Sequence, residues 1–363
     1  MVFTSDTLTY KAYTFTYNGD PITPTEETIT LAKQADGNYG VATENILIKV
    51  AAAALNPVDA KLYHLTFWPF QYLGKKGTGR DYSGTVVSIG LDAQSKTGLK
   101  VGDLVQGHYD RRLPHGTVSE YILINPSSQT DHNVGKIPSN LSKYDAAAWP
   151  LVYGTAIRIT DKLNIKDSRV LVIGGATSVG RFVLQILKRE GAAWVASTNS
   201  SRSDSIVKEL GANVSIDYSK GSILNSVLEE VKSGGTFDYI LDCYGSGDLF
   251  PEINNILTPK SGLYTTIIGD KSFYSINQIG WFNAGRMIKR ILYSGLGFLS
   301  FNYLLSQGVA THKFINQGAK EIEEGKLRIF IDSYYKFSEF DKAFEKLQSD
   351  KAQGKIIIKI DEE

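Results

Sequence analysis

The chain has 363 residues, with 39 lysines and arginines against 38 aspartates and glutamates, for a formal net charge of +1. At roughly 150 residues per domain the length implies about two domains, and the charge balance argues against a protein built mainly to hold nucleic acid. The single cysteine, Cys243, excludes a disulfide framework or a structural zinc site within one chain and points to a reducing compartment.

The five histidines (His64, His108, His115, His132 and His312) form no HExxH and no close metal-binding pair, so no metal is expected. The opening residues show no basic region followed by an apolar core, and a cytoplasmic chain is the expectation. Residues 281–303 come nearest to bilayer length, but Arg286, Lys289 and Arg290 interrupt them.

Residues 46–50 (ILIKV), 85–89 (TVVSI), 104–105 and 117–124 (TVSEYILI) read as short strands with Gly and Pro punctuation. That spacing suggests a β-barrel-like domain over the first 148 residues. A helical stretch opens at 145–149, and Pro150 is expected to interrupt it. From 169 to 269 strands (169–173, 194–197, 214–216, 237–241, 263–268) alternate with helices (179–190, 205–210, 222–232). Such alternation means βαβ units and a doubly wound parallel sheet. The tail returns to β-rich sequence at 329–337 and 355–360, around a helix at 339–347. The expected fold class is α/β, with one domain made of 1–148 and 330–363 and the other of 149–329.

The sharpest motif is VLVIGGATSVG at 170–180. A buried strand ends at Ile173, small residues turn the chain, and a helix begins near Val179. A dinucleotide site needs small residues there so that backbone N–H groups can approach the pyrophosphate at a helix N-terminus. Gly175, Ala176, Thr177, Ser178 and Val179 are the expected cradle, and Gly180 would let the helix pack closely on the strand. The second strand continues as WVASTNSSRSDS, with no acid before Asp204. NAD sites usually hold the ribose hydroxyl with Asp or Glu at this point. Ser200, Ser201 and Arg202 offer hydroxyls and a guanidinium suited to a 2′-phosphate, and Tyr218 could add a hydroxyl, so NADPH is the expected cofactor.

The motifs AAAALNPVDAKLYHL (51–65), GRDYSGTVVSIG (79–90), VGDLVQG (101–107), GTVSEYILI (116–124) and AAAWPLVYGTAIRI (146–159) precede that loop. VKELGANVSIDY (207–218), FDYILDCYG (237–245) and GKIIIKI (354–360) follow it. Together they resemble the medium-chain dehydrogenase/reductase superfamily, in its zinc-free quinone-oxidoreductase-like branch and, more narrowly, a fungal group within it.

The resemblance implies a GroES-like catalytic domain formed by both chain ends, a Rossmann domain, and an active site in the cleft between them. It also implies a homodimer, placed at the 263–268 strand, and a small-molecule substrate. Zinc members use an early cysteine for the catalytic metal and four more in a structural lobe; Cys243 alone supplies neither and reads as a packing residue. Without a Lewis acid a conjugated acceptor is easier to reduce, since its π-system spreads the charge that arrives with hydride. The implied reaction is NADPH-dependent reduction of quinones or α,β-unsaturated carbonyls.

By the same resemblance, Asn56 would sit near the nicotinamide and ribose. Tyr63 would face the substrate and donate a hydrogen bond or proton to the enolate. Thr155 would touch the nicotinamide, and Gly245 with the backbone from Ile267 to Gly269 would line the cofactor. Asp59 and Asp81 read as loop-holding groups. Quinone reductases commonly carry two glycines where Thr177 and Ser178 stand; both hydroxyls are expected to be able to bind phosphate. That departure motivates an alternative, a catalytically weak nucleotide-binding protein with a stress-response or lipid-surface role.

Residues 270–303 are aromatic-rich, and Ile288, Ile291 and Leu292 fall at helical spacing beside Arg286, Lys289 and Arg290. One expectation is a helix packed on the parallel sheet and roofing the substrate. The other is a basic amphipathic surface on lipid, with lipid-droplet or mitochondrial association implied by the fungal relatives.

Overall fold

A computed structural model describes residues 2–66, 72, 74–109, 116–126, 132–269, 274–275, 278–279, 281–306 and 312–362. The chain divides into two units, Met1–Leu151 with Val309–Glu363, and Val152–Gly308. The helix His312–Glu323 packs on the strand His132–Lys136, where Ile315 lies under Gly135. Ser139 Oγ and its amide also bond Glu323, and Asn140 Nδ2 donates to the Ile322 carbonyl at 2.8 Å.

In the first unit a hairpin, Thr7–Phe15 with Thr23–Thr30, meets the short strand Lys76–Gly77. The larger sheet runs His132–Lys136, Leu104–Tyr109, Asp81–Ile89, Ile46–Leu55, Lys355–Lys359 and Ile331–Lys336, with Tyr121–Ile124 also on Ile46–Leu55. Ile46–Leu55 is buried along its length except at Lys49. Its alanines allow that: Ala52 and Ala54 pack against Ala147, Ala148 and Ile357, which larger side chains could not share. Pro150 does not interrupt a helix. It opens one, Pro150–Thr160, after a single turn at Asp145–Ala148. A proline costs nothing at the first helical position, where its missing N–H has no intrahelical partner.

The second unit holds six parallel strands in the order Val214–Asp217, Trp194–Asn199, Arg169–Ile173, Tyr239–Asp242, Leu263–Thr266 and Asn302–Leu305. In chain order this is 3-2-1-4-5-6, the doubly wound arrangement with its switch point between the first and fourth strands. The helix Ser178–Arg189 buries Val179, Phe182, Val183, Ile186 and Leu187, an apolar face at i, i+3, i+4, i+7 and i+8. The sixth strand begins at the end of the segment read only as an aromatic insert and runs two residues past it. It is an outer strand of this sheet, whereas Leu263–Thr266 is paired on both sides. The placement of a dimer contact at 263–268 is therefore corrected: that strand has no free edge to offer.

The helix Trp281–Gly295 combines features of both expectations, an exposed apolar stripe and a separate face packed on the core. Ile288 and Leu292 are 51% and 57% exposed and Ile291 is exposed as well, so the apolar stripe faces away from the sheet. The packing face is carried by Met287, buried in the core with Ile240, Tyr264 and Tyr303, and by Arg290, whose guanidinium lies 3.3 Å from the centre of the Phe250 ring. No helix among the described residues is long and apolar enough to cross a membrane.

Candidate functional site

The turn after Ile173 is shaped by three glycines. Gly174 has φ +76°, a conformation that other residues adopt only with strain. A Cβ on Gly175 would come within 2.1 Å of Ser197 Oγ, and one on Gly180 within 2.2 Å of the Gly174 carbonyl. Helix and strand thus approach more closely than any side chain permits. Gly180→Ala is expected to force them apart, lowering stability by about 1–3 kcal/mol in a denaturant titration and weakening nucleotide binding with it.

Thr177 caps the helix. Its Oγ1 accepts from the Gly180 amide at 3.0 Å and donates to the Gly174 carbonyl at 2.8 Å. The hydroxyl expected to bind phosphate is therefore used inside the loop. Among the described residues, the amides of Ala176, Ser178 and Val179 have no acceptor. They stand at the positive end of the helix dipole, where backbone donors suit a pyrophosphate. Arg181, which the sequence reading passed over, is buried and donates from Nε to the Ala176 carbonyl at 3.0 Å, bracing the turn from below. The only sequence signal for it is a charge where the apolar helix face begins.

At the end of the second strand stands Asn199, buried, with its Nδ2 donating to Ser215 Oγ at 2.8 Å and to the Ser200 carbonyl at 3.0 Å. No carboxylate occupies that strand end. Arg202 follows on the short turn Ser201–Ser203, exposed and without an ion-pair partner among the described residues. An acid does stand next door, at the end of the third strand. Asp217 accepts from the Ser219 amide at 2.9 Å and hydroxyl at 2.7 Å, from Ser201 as well, and has Lys220 Nζ at 3.6 Å. Those donors hold its carboxyl down at about 2. Ser201's hydroxyl is thus engaged, leaving Ser200, Arg202 and the half-exposed Tyr218 as the open groups of this edge.

The fourth and fifth strands end in two turns organised by side chains. Asp242 Oδ1 accepts the amides of Tyr244 at 3.1 Å and Gly245 at 2.6 Å, and Oδ2 accepts the Ser246 amide at 3.2 Å and the Tyr264 hydroxyl at 3.0 Å. Thr266, beside it in register, also works to lower the pKa of this carboxyl. Thr266 Oγ1 in turn accepts the amides of Ile268 at 3.2 Å and Gly269 at 2.9 Å. Complete burial pushes the Asp242 carboxyl up to about 6 despite these donors. Gly245 and Gly269 take the left-handed conformation, φ +92° and +85°. Neither Asp242 nor Thr266 was singled out from sequence, since LDCYG and YTTIIG look like ordinary strand ends. Cys243, between them in the chain's logic of small residues, is buried, and burial pushes its thiol up, as a packing residue requires. Thr155 is buried within Pro150–Thr160.

Asn56 and Tyr63 belong to the first unit, apart from the other candidates along the chain division. Asn56 is 1% exposed and its side chain is fully used: Nδ2 donates to Asp81 Oδ2 at 2.9 Å and to the Ala54 carbonyl at 3.3 Å, and Oδ1 accepts from Lys355. Lys355 Nζ also reaches Asp81 Oδ2 at 2.8 Å, and Asp81 Oδ1 accepts the Leu151 amide at 2.7 Å. Asn56 is therefore a member of a buried polar network rather than a side chain open to a ligand. Asp59, which accepts the Asn56 amide at 2.8 Å with Arg80 Nε 4.0 Å away, is pushed up to about 6 by burial. Tyr63's hydroxyl is turned onto the carbonyls of Asn18 at 2.9 Å and Asp20 at 2.8 Å, so donation to a substrate requires giving up those contacts. His64 Nε2 lies 3.1 Å from Gln348 Nε2, and burial lowers its pKa.

Comparison with known proteins agrees with this geometry. Residues 42–134 match the alcohol dehydrogenase GroES-like domain, and residues 210–358 match the zinc-binding dehydrogenase family. The one cysteine is buried, and among the described residues no group of three His, Cys, Asp or Glu side chains could hold a metal ion. The chain is 36% identical to the protein YIM1 of Vanderwaltozyma polyspora, over 97% of this chain and 99% of that one. It is 31% identical to YIM1 of Saccharomyces cerevisiae, over 97% and 98%. The fold is that of the quinone oxidoreductase from Coxiella burnetii, with a TM-score of 0.75 at 24% identity over 97% of this chain and all of that one. The quinone oxidoreductase of Pseudomonas syringae gives a TM-score of 0.70 at 21% identity, over 97% of this chain and 100% of that one. With both of its domains and nearly its whole length accounted for, the chain belongs to the medium-chain dehydrogenase/reductase superfamily of oxidoreductases and, within it, to the fungal YIM1 family.

Proposed function

We propose that the chain is an NADPH-dependent, zinc-independent reductase of quinones or α,β-unsaturated carbonyls. The observation that carries the choice of cofactor is the second strand's end, where Asn199 stands in place of an acid and the exposed guanidinium of Arg202 follows. A carboxylate at that point would repel a 2′-phosphate; a guanidinium can take it bidentately. The free amides of Ala176, Ser178 and Val179 would hold the pyrophosphate, and Ser200 and Tyr218 would flank the 2′-phosphate. Bound NADPH supplies the hydride. The protein's own work is orientation: Thr155, Gly245 and residues 267–269 line the nicotinamide, and Tyr63 donates to the developing enolate oxygen once its hydroxyl leaves the Asn18 and Asp20 carbonyls. Calorimetric titration tests the cofactor directly. NADPH is expected to bind more tightly than NADH, and equal affinities would remove the reading.

The alternative is a nucleotide-binding protein with weak turnover and a role at a lipid surface. One observation favours it: Ile288, Leu292, Leu296 and Phe298 are all more than half exposed beside the exposed Lys289. An apolar stripe with basic neighbours suits an anionic bilayer. Flotation with phosphatidylserine vesicles is expected to carry the wild type upward and to lose the Arg286→Glu/Lys289→Glu variant; equal flotation of both, or of neither, excludes the lipid role.

A further inference from the structure

The turns after the fourth and fifth strands hang on one carboxylate. Asp242 receives three successive backbone amides from its own turn, at residues 244–246. Its neighbour in register, Thr266, passes the same anchor to the second turn. A threonine hydroxyl has one proton and two lone pairs. Here the lone pairs accept the amides of Ile268 and Gly269, and the side chain sits beside Asp242 in register, where it helps to hold that carboxyl down. The backbone adds one link, from the Ile267 amide to the Asp242 carbonyl at 3.2 Å. Tyr264 closes the arrangement, its hydroxyl within reach of Asp242 Oδ2 and, at 2.8 Å, of the Ser246 carbonyl. Asp242 and Thr266 are inaccessible to solvent.

We propose that Asp242, acting through Thr266, is the positioning residue for the nicotinamide half of the cofactor; this rests on the nucleotide-binding reading above. The doubly wound sheet consists of two mononucleotide-binding halves. The first half carries the phosphate turn and Arg202. The second begins at the strand that Asp242 ends, and its two turns are the ones that Asp242 and Thr266 shape. Removing an acceptor leaves buried amides without partners, and they recover hydrogen bonds only by opening the turns. The consequence falls on the nicotinamide end and leaves the adenine end in place.

The test compares two ligands by calorimetry on the full chain: NADPH and 2′-phospho-ADP-ribose, which lacks the nicotinamide. Wild type is expected to bind NADPH more tightly. Thr266→Val keeps the shape and removes the hydroxyl; it should weaken NADPH roughly tenfold, the scale of one to two hydrogen bonds, and leave the fragment within about twofold. Thr266→Ser should restore NADPH binding. Asp242→Asn, which turns an NH₂ toward amide donors, should show the same asymmetry with a larger loss. Equal weakening of both ligands by Thr266→Val would mark a merely structural residue and overturn the proposal. So would unchanged NADPH binding, or equal wild-type affinity for the two ligands. A wild type that binds neither ligand overturns the nucleotide reading and this proposal with it, whereas the preceding outcomes overturn this proposal alone.

Discussion

Arg202→Ala is expected to weaken NADPH binding by roughly 10- to 100-fold while leaving NADH within about twofold. Hydrogen bonds from a guanidinium to a phosphate are worth about 1.5–3 kcal/mol, which sets that range. The selectivity follows from placement. Arg202 lies on the turn after the second strand, exposed, with no carboxylate among the described residues paired to it. The nearby Asp217 is already held by Ser219, Ser201 and Lys220. Raising salt should shrink the NADPH advantage, because an exposed pair is screened. Equal losses for both cofactors, measured by calorimetry at one ionic strength, would show that Arg202 supports the fold of the turn and does not read the 2′-phosphate.

The second large effect belongs to the first unit. Lys355→Met should cost about 3–5 kcal/mol, because it leaves Asp81 charged and buried with one of its partners gone. For a unit of this size that is a fall on the order of 10 °C in melting temperature. The side chains of Lys355 and Asp81 are only 4% and 0% exposed, so solvent cannot replace the lost ammonium. Replacing both, as Lys355→Met with Asp81→Leu, should recover part of the loss, since an apolar pair leaves no unpaired charge. A loss below about 1 kcal/mol for the single variant would mean that the ion pair is dispensable. The network also explains why the two chain ends share one domain. Lys355 comes from the last strand and meets Asn56 and Asp81, 299 and 274 residues earlier.

That separation shows what sequence can and cannot reveal here. The strand at 169–173, the small-residue turn and the helix after it were legible because each obeys a local rule: a buried run, a need for glycine, a 3.6-residue period. Asn199 and Arg202 were legible as an absence followed by a charge. Lys355, Asp81 and Asn56 were not legible as a group, because only the fold brings them together. Asp59 and Asp81 read as loop-holding from sequence and do hold backbone amides, but Asn56 shares that role where a ligand contact was expected.

The sixth strand, Asn302–Leu305, escaped because a short strand after a helix-forming aromatic stretch has no alternation to mark it. The N-terminal hairpin escaped for a related reason: in Thr23–Thr30 only Ile29 is buried, so its period is nearly silent. Helical spacing at Ile288, Ile291 and Leu292 correctly marked a helix and left its direction open. Spacing defines a face; it does not say whether the sheet or the solvent lies against it.

The proposed reaction is tested most directly by following the loss of reduced-nicotinamide absorbance with a panel of para-quinones and linear enones, before and after dialysis against a metal chelator. The account predicts oxidation of NADPH by at least one conjugated acceptor, slower with NADH, and unchanged by the chelator. Tight NADPH binding with no turnover on any acceptor, or a rate abolished by the chelator, would contradict it.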